Sequence, residues 1–596
     1  MQTQEAATVS MNAAETLNRS VRPPWARVAL LAPLLCAAAT APAHAAHHAP
    51  LHAAARHGAV AADTPEASQA GAEILKKGGN AVDAAIATAL ALGVVAPGGS
   101  GLGGGGFAVV WIAKEHRATM IDFREVAPHA ARREMFADDK PAPGQPPRSA
   151  VGGLAVGVPG EPAGLALLHQ KLGHLPLAKI VLPVVRLAQA GFQPSRRLVS
   201  ESHKMSTALP ADEPMRRWLV PNGRELTDAS LVRRPALAAT ITRFGAKGRD
   251  ALYSGPIAEE LVATTKAHGG LLTMDDLASY QPLWRDPLVG QFRGRTIYAA
   301  PPPAGGATAI EALNFLDALP ALPRGSLGSS AWFHRIAEAL THAFADRARW
   351  MGDPAFFKVP IEKLTSPAYA QSLVLRFAED KVLPTEAYGT PAEKGSPVEP
   401  PRDHGTSHLC VIDGEGNAVA LTTTINLELG AQLEAARSGV ILNDQMDDFA
   451  ARPGRPNEFG LVGAEANAIA AGKRPQSSMT PMLIVENGEL VMCVGGSGGP
   501  TIVASSVQAV AAVFDEGVDA EGAVTMSRVY AQWLPVELRL EHDIPNDVAD
   551  ALAKKGHKIA RTPTEGFAPA VQVLLRRGGV IEAASDPRKG GRPAVQ

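Results

Sequence analysis

The chain has 596 residues, a formal net charge of −2 at neutral pH, 46% hydrophobic residues and 19% charged ones. That length supports several domains or one large multilayer unit. The near-zero charge removes any electrostatic case for nucleic acid or a membrane surface as partner.

Arg19, Arg22 and Arg27 precede the apolar run VALLAPLLCAAATAPA, and Ala43-His44-Ala45 follows as a small-residue cleavage pattern. Residues 1–45 read as a secretory signal peptide. The run is shorter than the roughly 20 apolar residues of a spanning helix, an uncleaved anchor being the alternative. A periplasmic or secreted protein is expected, with no membrane attachment once the signal is removed. Of the three cysteines, Cys36 lies in the signal. Cys410 and Cys493 sit in apolar, strand-like runs and read as buried free thiols, although an oxidising compartment would permit a bridge. His47, His48, His52 and His57 match no zinc spacing and read as a disordered tail, with weak metal scavenging as the alternative.

Thr64 can cap a helix that Pro65 opens and Gly78-Gly79 ends. A second helix, Ala81 to about Gly93, is almost wholly apolar and so buried on most sides. PGGSGLGGGGFAVVWIA then reads as a glycine loop entering a strand. Thr273 and Asp276 form a capping box, and PPPAGGA at Pro301 is a rigid turn before another helix. No repeat of 20–50 residues is present. Leu383 to Gly405 is rich in proline and charge and reads as an exposed, mobile segment. It separates about 360 mature residues from about 190 that start strand-rich and turn helical from about Pro500.

At the end of that segment, TSHLCVID and AVALTTTIN flank GEG, which is a hairpin signal. If Asp413 pairs with Asn417, Thr406 falls opposite Thr424, with Cβ atoms about 5 Å apart. Thr406, His408 and Cys410 then share a face. Two facing threonines can simply stabilise a sheet, or one can orient the other for chemistry. Two further motifs compete. Gly101, Gly103 and Gly106 spell G-x-G-x-x-G, but a strand follows rather than a helix, so a dinucleotide site fails on context. Gly495-x-Ser497-x-Gly499 lies between a strand and a helix, the setting of a serine-esterase nucleophile, with Asp543 and His542 or His557 as triad partners.

The motifs GGNAVDAAIATALALGVVAP, SGLGGGGF, IDFREVAP, GDPAF, GNAVALTTTIN, LNDQMDDF, KRPQSSMTP and ASDPRKGG occur in this order. In them the chain resembles the gamma-glutamyltranspeptidases, from about Gly58 to Gly591. The resemblance implies an α+β N-terminal-nucleophile hydrolase: a four-layer αββα sandwich built jointly by a large subunit, 46–405, and a small one, 406–596. It implies self-cleavage at Gly405–Thr406, with residues 383–405 as the tail of the large subunit. Thr406 becomes the nucleophile, oriented by Thr424, and Gly498 and Gly499 become the oxyanion donors. Arg124, Ser477 and Ser478 match the carboxylate-binding residues, and Asp448, Asn426 and Gln445 the ammonium-binding set. The freed α-amine, with a pKa of about 8, is the base an alcohol nucleophile needs.

The expected donors are glutathione and other γ-glutamyl compounds, with water or an amino acid or dipeptide as acceptor. The mechanism calls for no cofactor and no metal. Phe459 stands where bacterial relatives often carry a lid tyrosine, and loss of that hydroxyl implies looser closure. Glu428 adds a charge near the site, and PGGSG departs from the usual Ser-Ser-Gly run. A cephalosporin or glutaryl acylase on the same fold is the alternative, as is a non-catalytic binding protein.

Overall fold

Strand Gly105–Ile112 explains the layering by itself. Phe107, Val109 and Trp111 point to one side and Ala108 and Val110 to the other, and all five are buried. A strand apolar on both faces must be covered on both. In this computed structural model, which describes residues 50–142, 145–389, 405–451, 456–562 and 569–596, one face meets a second sheet and the other meets helices.

The first seven-stranded sheet runs, edge to edge, Ala594–Val595, Ala59–Ala62, Ser407–Ile412, Ala418–Thr424, Gly105–Ile112, Arg117–Phe123 and Leu283–Arg285. The second, also seven-stranded, runs His52–Ala55, Val580–Ser585, Ala570–Arg577, Glu489–Ser497, Met482–Glu486, Arg295–Ala299 and Leu288–Phe292. Every pairing within both sheets is antiparallel. Each sheet mixes strands from before and after residue 405. A cut at that point would therefore leave both sheets interleaved.

Phe107, Trp111, Ile412, Leu483 and Leu574 fill the space between the sheets. Helices Pro65–Lys76 and Ala81–Val95 cover the outer face of the first sheet, packing on Val110, Leu409 and Val419. Helices Gly306–Ala318, Ser330–Trp350 and Thr501–Ala511 cover the second, on Ile484, Met492 and Val494. This is the αββα order.

Local expectations reappear as capped elements. The Thr64 side chain accepts from the Ala67 N–H, and the next helix, Ala81–Val95, is buried along its whole length. The capping box of Thr273 with Asp276 is present.

Three expectations change. His52 does not lie in a loose tail: His52–Ala55 is an edge strand paired with Val580–Ser585, and His52 Nδ1 lies 2.7 Å from Glu521 Oε2. Register against an existing edge supplies the order that composition did not suggest. Cys410 and Cys493 are not free thiols but a disulfide, with Cα atoms 5.9 Å apart, joining the two sheets. Each reads as a buried apolar position because it is one; only packing sheet on sheet makes them neighbours. Of the Pro-rich segment, residues 390–404 lie outside the described residues, as does the signal peptide. Residues 383–389 hold a half-buried helical turn, Thr385–Tyr388, whose Tyr388 hydroxyl donates to Glu338.

Phe107 is buried among inter-sheet side chains with no solvent path. Phe107→Ala is expected to cost about 3–5 kcal/mol, read as a lowered urea midpoint at unchanged slope.

Candidate active site

The hairpin register sets the site. Ser407 pairs with Thr423 and Ile412 with Ala418, and the Asp413 N–H bonds to the Asn417 carbonyl at 3.0 Å. One further step places Thr406 against Thr424, and their hydroxyl oxygens lie 2.9 Å apart. Thr424 Oγ1 also accepts from the Asn426 N–H at 2.9 Å. That contact favours a Thr424 hydroxyl whose own proton points toward Thr406, leaving Thr406 Oγ1 as acceptor and its proton free to leave.

The backbone at this point is unusual. Gly405 has φ 44° and Thr406 φ 63°. A β-branched residue in the left-handed region is a genuine outlier, costing about 1–3 kcal/mol. A Cβ on Gly405 would lie 2.0 Å from the Asn426 carbonyl oxygen, so only glycine fits. The Thr406 N–H donates to the Gly99 carbonyl at 2.8 Å, and Ile425 N–H donates to the same oxygen at 3.2 Å. Ser100 Oγ donates to Ser407 Oγ at 3.2 Å. PGGSG is thus the cradle that holds Thr406 in place. Lys589 Nζ lies 3.3 Å from the Gly405 carbonyl oxygen and 3.5 Å from that of Thr406.

Across the sandwich, Cys410 faces Cys493 and His408 faces Gly495, where a Cβ would meet the His408 ring at 2.3 Å. Continuing that pairing by two residues brings Thr406 level with Ser497, next to the Gly498–Gly499 turn. Those glycines have φ 125° and 59°, and Thr501 Oγ1 donates to the Gly498 carbonyl at 2.7 Å. A Cβ on Gly499 would sit 2.7 Å from Phe459 Cε1. Phe459 is buried, so its ring holds the wall through apolar contact. His408 is neutral: burial pushes its pKa down to about 3, and its Nδ1 contacts Thr422 Oγ1 at 2.8 Å.

Ser497 is not an exposed elbow. It is fully buried and donates to Asp63 Oδ2 at 2.6 Å, while Gln572 Nε2 donates to Asp63 Oδ1 at 2.6 Å. His542 and Asp543 pair with each other on the surface, and His557 contacts His334. The esterase triad is dispersed, because the Gly-x-Ser-x-Gly spacing here serves a strand end rather than a nucleophile turn.

A second cluster gathers opposite charges. Arg124 is fully buried; its Nη2 pairs with Asp448 Oδ2 and donates to the Gln476 carbonyl at 3.0 Å, and its Nε donates to Pro475 O at 3.2 Å. Gln445 Nε2 donates to Asp448 Oδ2 at 2.6 Å, while the buried Gln445 Oε1 has no partner among the described residues. Ser477 Oγ accepts from the Met479 N–H at 3.1 Å, and Ser478 Oγ from Arg347 Nη2 at 3.1 Å; each hydroxyl proton remains available to donate. Among the described residues Asn426 makes no hydrogen bond with Asp448. Its amide donates to Asp444 Oδ2 at 3.1 Å, and Asp444 Oδ1 also accepts from the Leu427 N–H.

Sequence reasoning missed Asp444 and Arg347. Asp444 lies in the same LNDQMDDF run as Asp448, and burial raises its pKa. Arg347 continues the apolar face Ile336, Leu340, Ala343 and Phe344 of its helix, so helical spacing could have flagged a charge pointing inward. Burial lowers its pKa to about 10, opposed by Asp448. Glu428 pairs with Lys204 through both oxygens at 3.1 Å.

Glu125, beside Arg124, is buried and its pKa is raised to about 8, despite the opposing Arg124 charge. Held neutral, it leaves the Arg124 charge undivided for Asp448. A raised folded-state pKa means stability is fully present below the unfolded value of about 4.5 and is lost as pH rises through about 8. Replacing the carboxyl by an amide removes this dependence. Glu125→Gln is therefore expected to gain stability relative to the parent between pH 5 and pH 8, measured as the difference in denaturant midpoints across that range.

A family model described as Gamma-glutamyltranspeptidase matches residues 67–596. The chain is 38% identical over 536 residues to the glutathione hydrolase proenzyme of Escherichia coli, covering 90% of this chain and 91% of that one. It is 37% identical to the glutathione hydrolase proenzyme of Pseudomonas aeruginosa, over 90% and 94% of the two chains. Among solved structures, cephalosporin acylase from Bacillus halodurans superposes with a TM-score of 0.80 at 27% identity, covering 91% of this chain and 97% of that one. The Helicobacter pylori gamma-glutamyltranspeptidase matches with a TM-score of 0.51 at 34% identity, over 56% and 96%.

Proposed function

The chain belongs to the gamma-glutamyltranspeptidase family, and from that premise we propose that Thr406 is the nucleophile of an enzyme that first cuts its own chain. The family activity is that of an autoprocessing gamma-glutamyltransferase and glutathione hydrolase. The observation carrying the proposal is the 2.9 Å contact between the Thr406 and Thr424 hydroxyls at a backbone outlier.

In the intact chain the Thr406 nitrogen is an amide and has no basicity. Thr406 Oγ1 attacks the carbonyl carbon of Gly405, and negative charge gathers on the oxygen that Lys589 Nζ approaches at 3.3 Å. The Oγ1–C bond forms and the C–N bond breaks, the hydroxyl proton passing to the departing Thr406 nitrogen; one water then hydrolyses the resulting ester, freeing the Gly405 carboxylate and restoring the Thr406 hydroxyl. Leaving the left-handed conformation favours the step. The product amine then sits on the same residue as the hydroxyl and takes its proton in each later turnover.

A γ-glutamyl group carries an α-carboxylate and an α-ammonium. The carboxylate takes the Arg124 fork, with the Ser477 and Ser478 hydroxyls donating. The ammonium takes Asp448 and the unpartnered Gln445 Oε1. The substrate thereby exchanges one buried ion pair for two, which keeps every charge matched. Asn426, its amide nitrogen held by Asp444, offers its carbonyl oxygen as a third acceptor for the ammonium. The scissile γ-carbonyl reaches Thr406, and Gly498 and Gly499 offer N–H groups to its developing oxyanion. Water or the amine of an amino acid or dipeptide resolves the ester, and Phe459 closes over the glycine pair. The processed protein is a heterodimer of residues up to 405 and 406–596, exported to the periplasm or beyond.

The purified protein is expected to run on a denaturing gel as fragments of about 38 and about 20 kDa, by share of the 62.1 kDa chain. Thr406→Ala is expected to stay as one band and to release no γ-glutamyl anilide; two bands or turnover from that variant would sink the assignment. Asp448→Asn is expected to lose at least about 2 kcal/mol, roughly 30-fold in kcat/KM, on γ-glutamyl anilide. The parent should reject the glutaryl anilide, which lacks the ammonium, and the variant should lose that discrimination. Preference of the parent for glutaryl over γ-glutamyl would establish the acylase reading instead.

A further inference from the structure

Helix Ser330–Trp350 places His334 and Glu338 one turn apart on one side, both buried. His557 comes to them from the turn between helix Asn546–Lys554 and strand Ile559–Arg561. One ligand atom from each of the three lies within 4.8 Å of the others. The cluster sits in the helical layer outside the second sheet, away from Thr406 on the first.

The hydrogen bonds assign the ring protons. His334 Nε2 lies 2.8 Å from the Ala378 carbonyl, which can only accept, so Nε2 carries the proton and Nδ1 presents a lone pair. That lone pair faces His557 Nε2 at 2.8 Å. Glu338 Oε1 accepts from the Tyr388 hydroxyl at 2.6 Å. Glu338 Oε2 is buried and has no hydrogen-bond partner among the described residues. An unpaired buried carboxylate oxygen is costly, which calls for an explanation. An imidazole anchored through one nitrogen to a backbone carbonyl, with a second imidazole facing the other and a carboxylate oxygen within 4.8 Å, is the second-layer arrangement of metal-bound histidines.

We propose that His334 Nδ1, His557 Nε2 and Glu338 Oε2 bind a divalent transition-metal ion, zinc by the chemistry of its donors, with water completing a tetrahedron. Two imidazoles and one carboxylate are an established zinc set. Binding moves the His557 proton to Nδ1 and spreads the two ring nitrogens from 2.8 Å to about 3.3 Å, as Zn–N bonds of about 2.0 Å at tetrahedral angles require. Nothing in the γ-glutamyl chemistry uses this site. His334 and Glu338 precede residue 405 and His557 follows it, so the ion pins together the two pieces of the cut chain.

The test is equilibrium dialysis of the chelator-stripped, processed protein against micromolar zinc, with bound metal counted by atomic emission. The parent is expected to hold one more zinc per molecule than either His557→Ala or Glu338→Gln, which cancels any ion held by other histidines. Cobalt(II) should give a visible band in the parent that both variants lack, and zinc should raise the melting midpoint of the parent alone. His542→Ala, on the surface, should behave as the parent. Glu338→Gln keeps side-chain volume and serves if His557→Ala fails to fold. Equal zinc counts in the parent and a folded variant, or a cobalt band that survives substitution, would overturn the proposal.

Discussion

The hydroxyl contact between Thr406 and Thr424 depends on a single register. A strand pairing shifted by one residue would turn Thr406 to the other face of the sheet. The register is held from several directions. Asp413 accepts from the N–H groups of Ala81, Glu415 and Asn417, tying the hairpin end to a helix 332 residues away in sequence. The disulfide and the His408 ring against Gly495 hold the same strand from the opposite sheet. The Gly99 carbonyl holds the Thr406 amide from a third side. Over-determination of this kind allows a β-branched residue to remain at positive φ.

The charged cluster follows a similar logic. Arg124 and Asp448 come from opposite sides of residue 405 and are paired inside the protein. Such a pair gains little for stability, since desolvation offsets attraction. On the proposed reading it has a functional meaning instead: the charges are oriented and separable by a zwitterion of the right length. In that reading Glu125, the second cation Arg347 and the unpartnered Gln445 Oε1 bear on the exchange. The superposition on a cephalosporin acylase shows that the sandwich itself does not choose the acyl group. On the proposed reading, these side chains do.

Much of this arrangement is legible in the sequence. Hairpin spacing around GEG predicts the Thr406–Thr424 juxtaposition by counting alone, because strand pairing is a local rule. Capped helices at Thr64 and Thr273 are legible for the same reason. The ordered motifs identify the family, and the resemblance implies the roles of Arg124, Asp448 and the glycine pair. Asn426 belongs by resemblance to the ammonium set, and its amide nitrogen is held by Asp444, a contact that residue order in a loop does not specify.

Sequence alone determined the elements whose causes are local: caps, turns, the hairpin register and the switch from a polar, proline-rich segment to a buried strand. Tertiary structure decided whatever needs two distant segments to touch. Cys410 and Cys493 became a bridge only when sheet met sheet. Ser497 meets Asp63 only because strand Glu489–Ser497 ends against the segment after strand Ala59–Ala62. His557 meets His334 and Glu338 only where the turn after helix Asn546–Lys554 docks on helix Ser330–Trp350. Packing in three dimensions sets such neighbours, and no one-dimensional spacing encodes it.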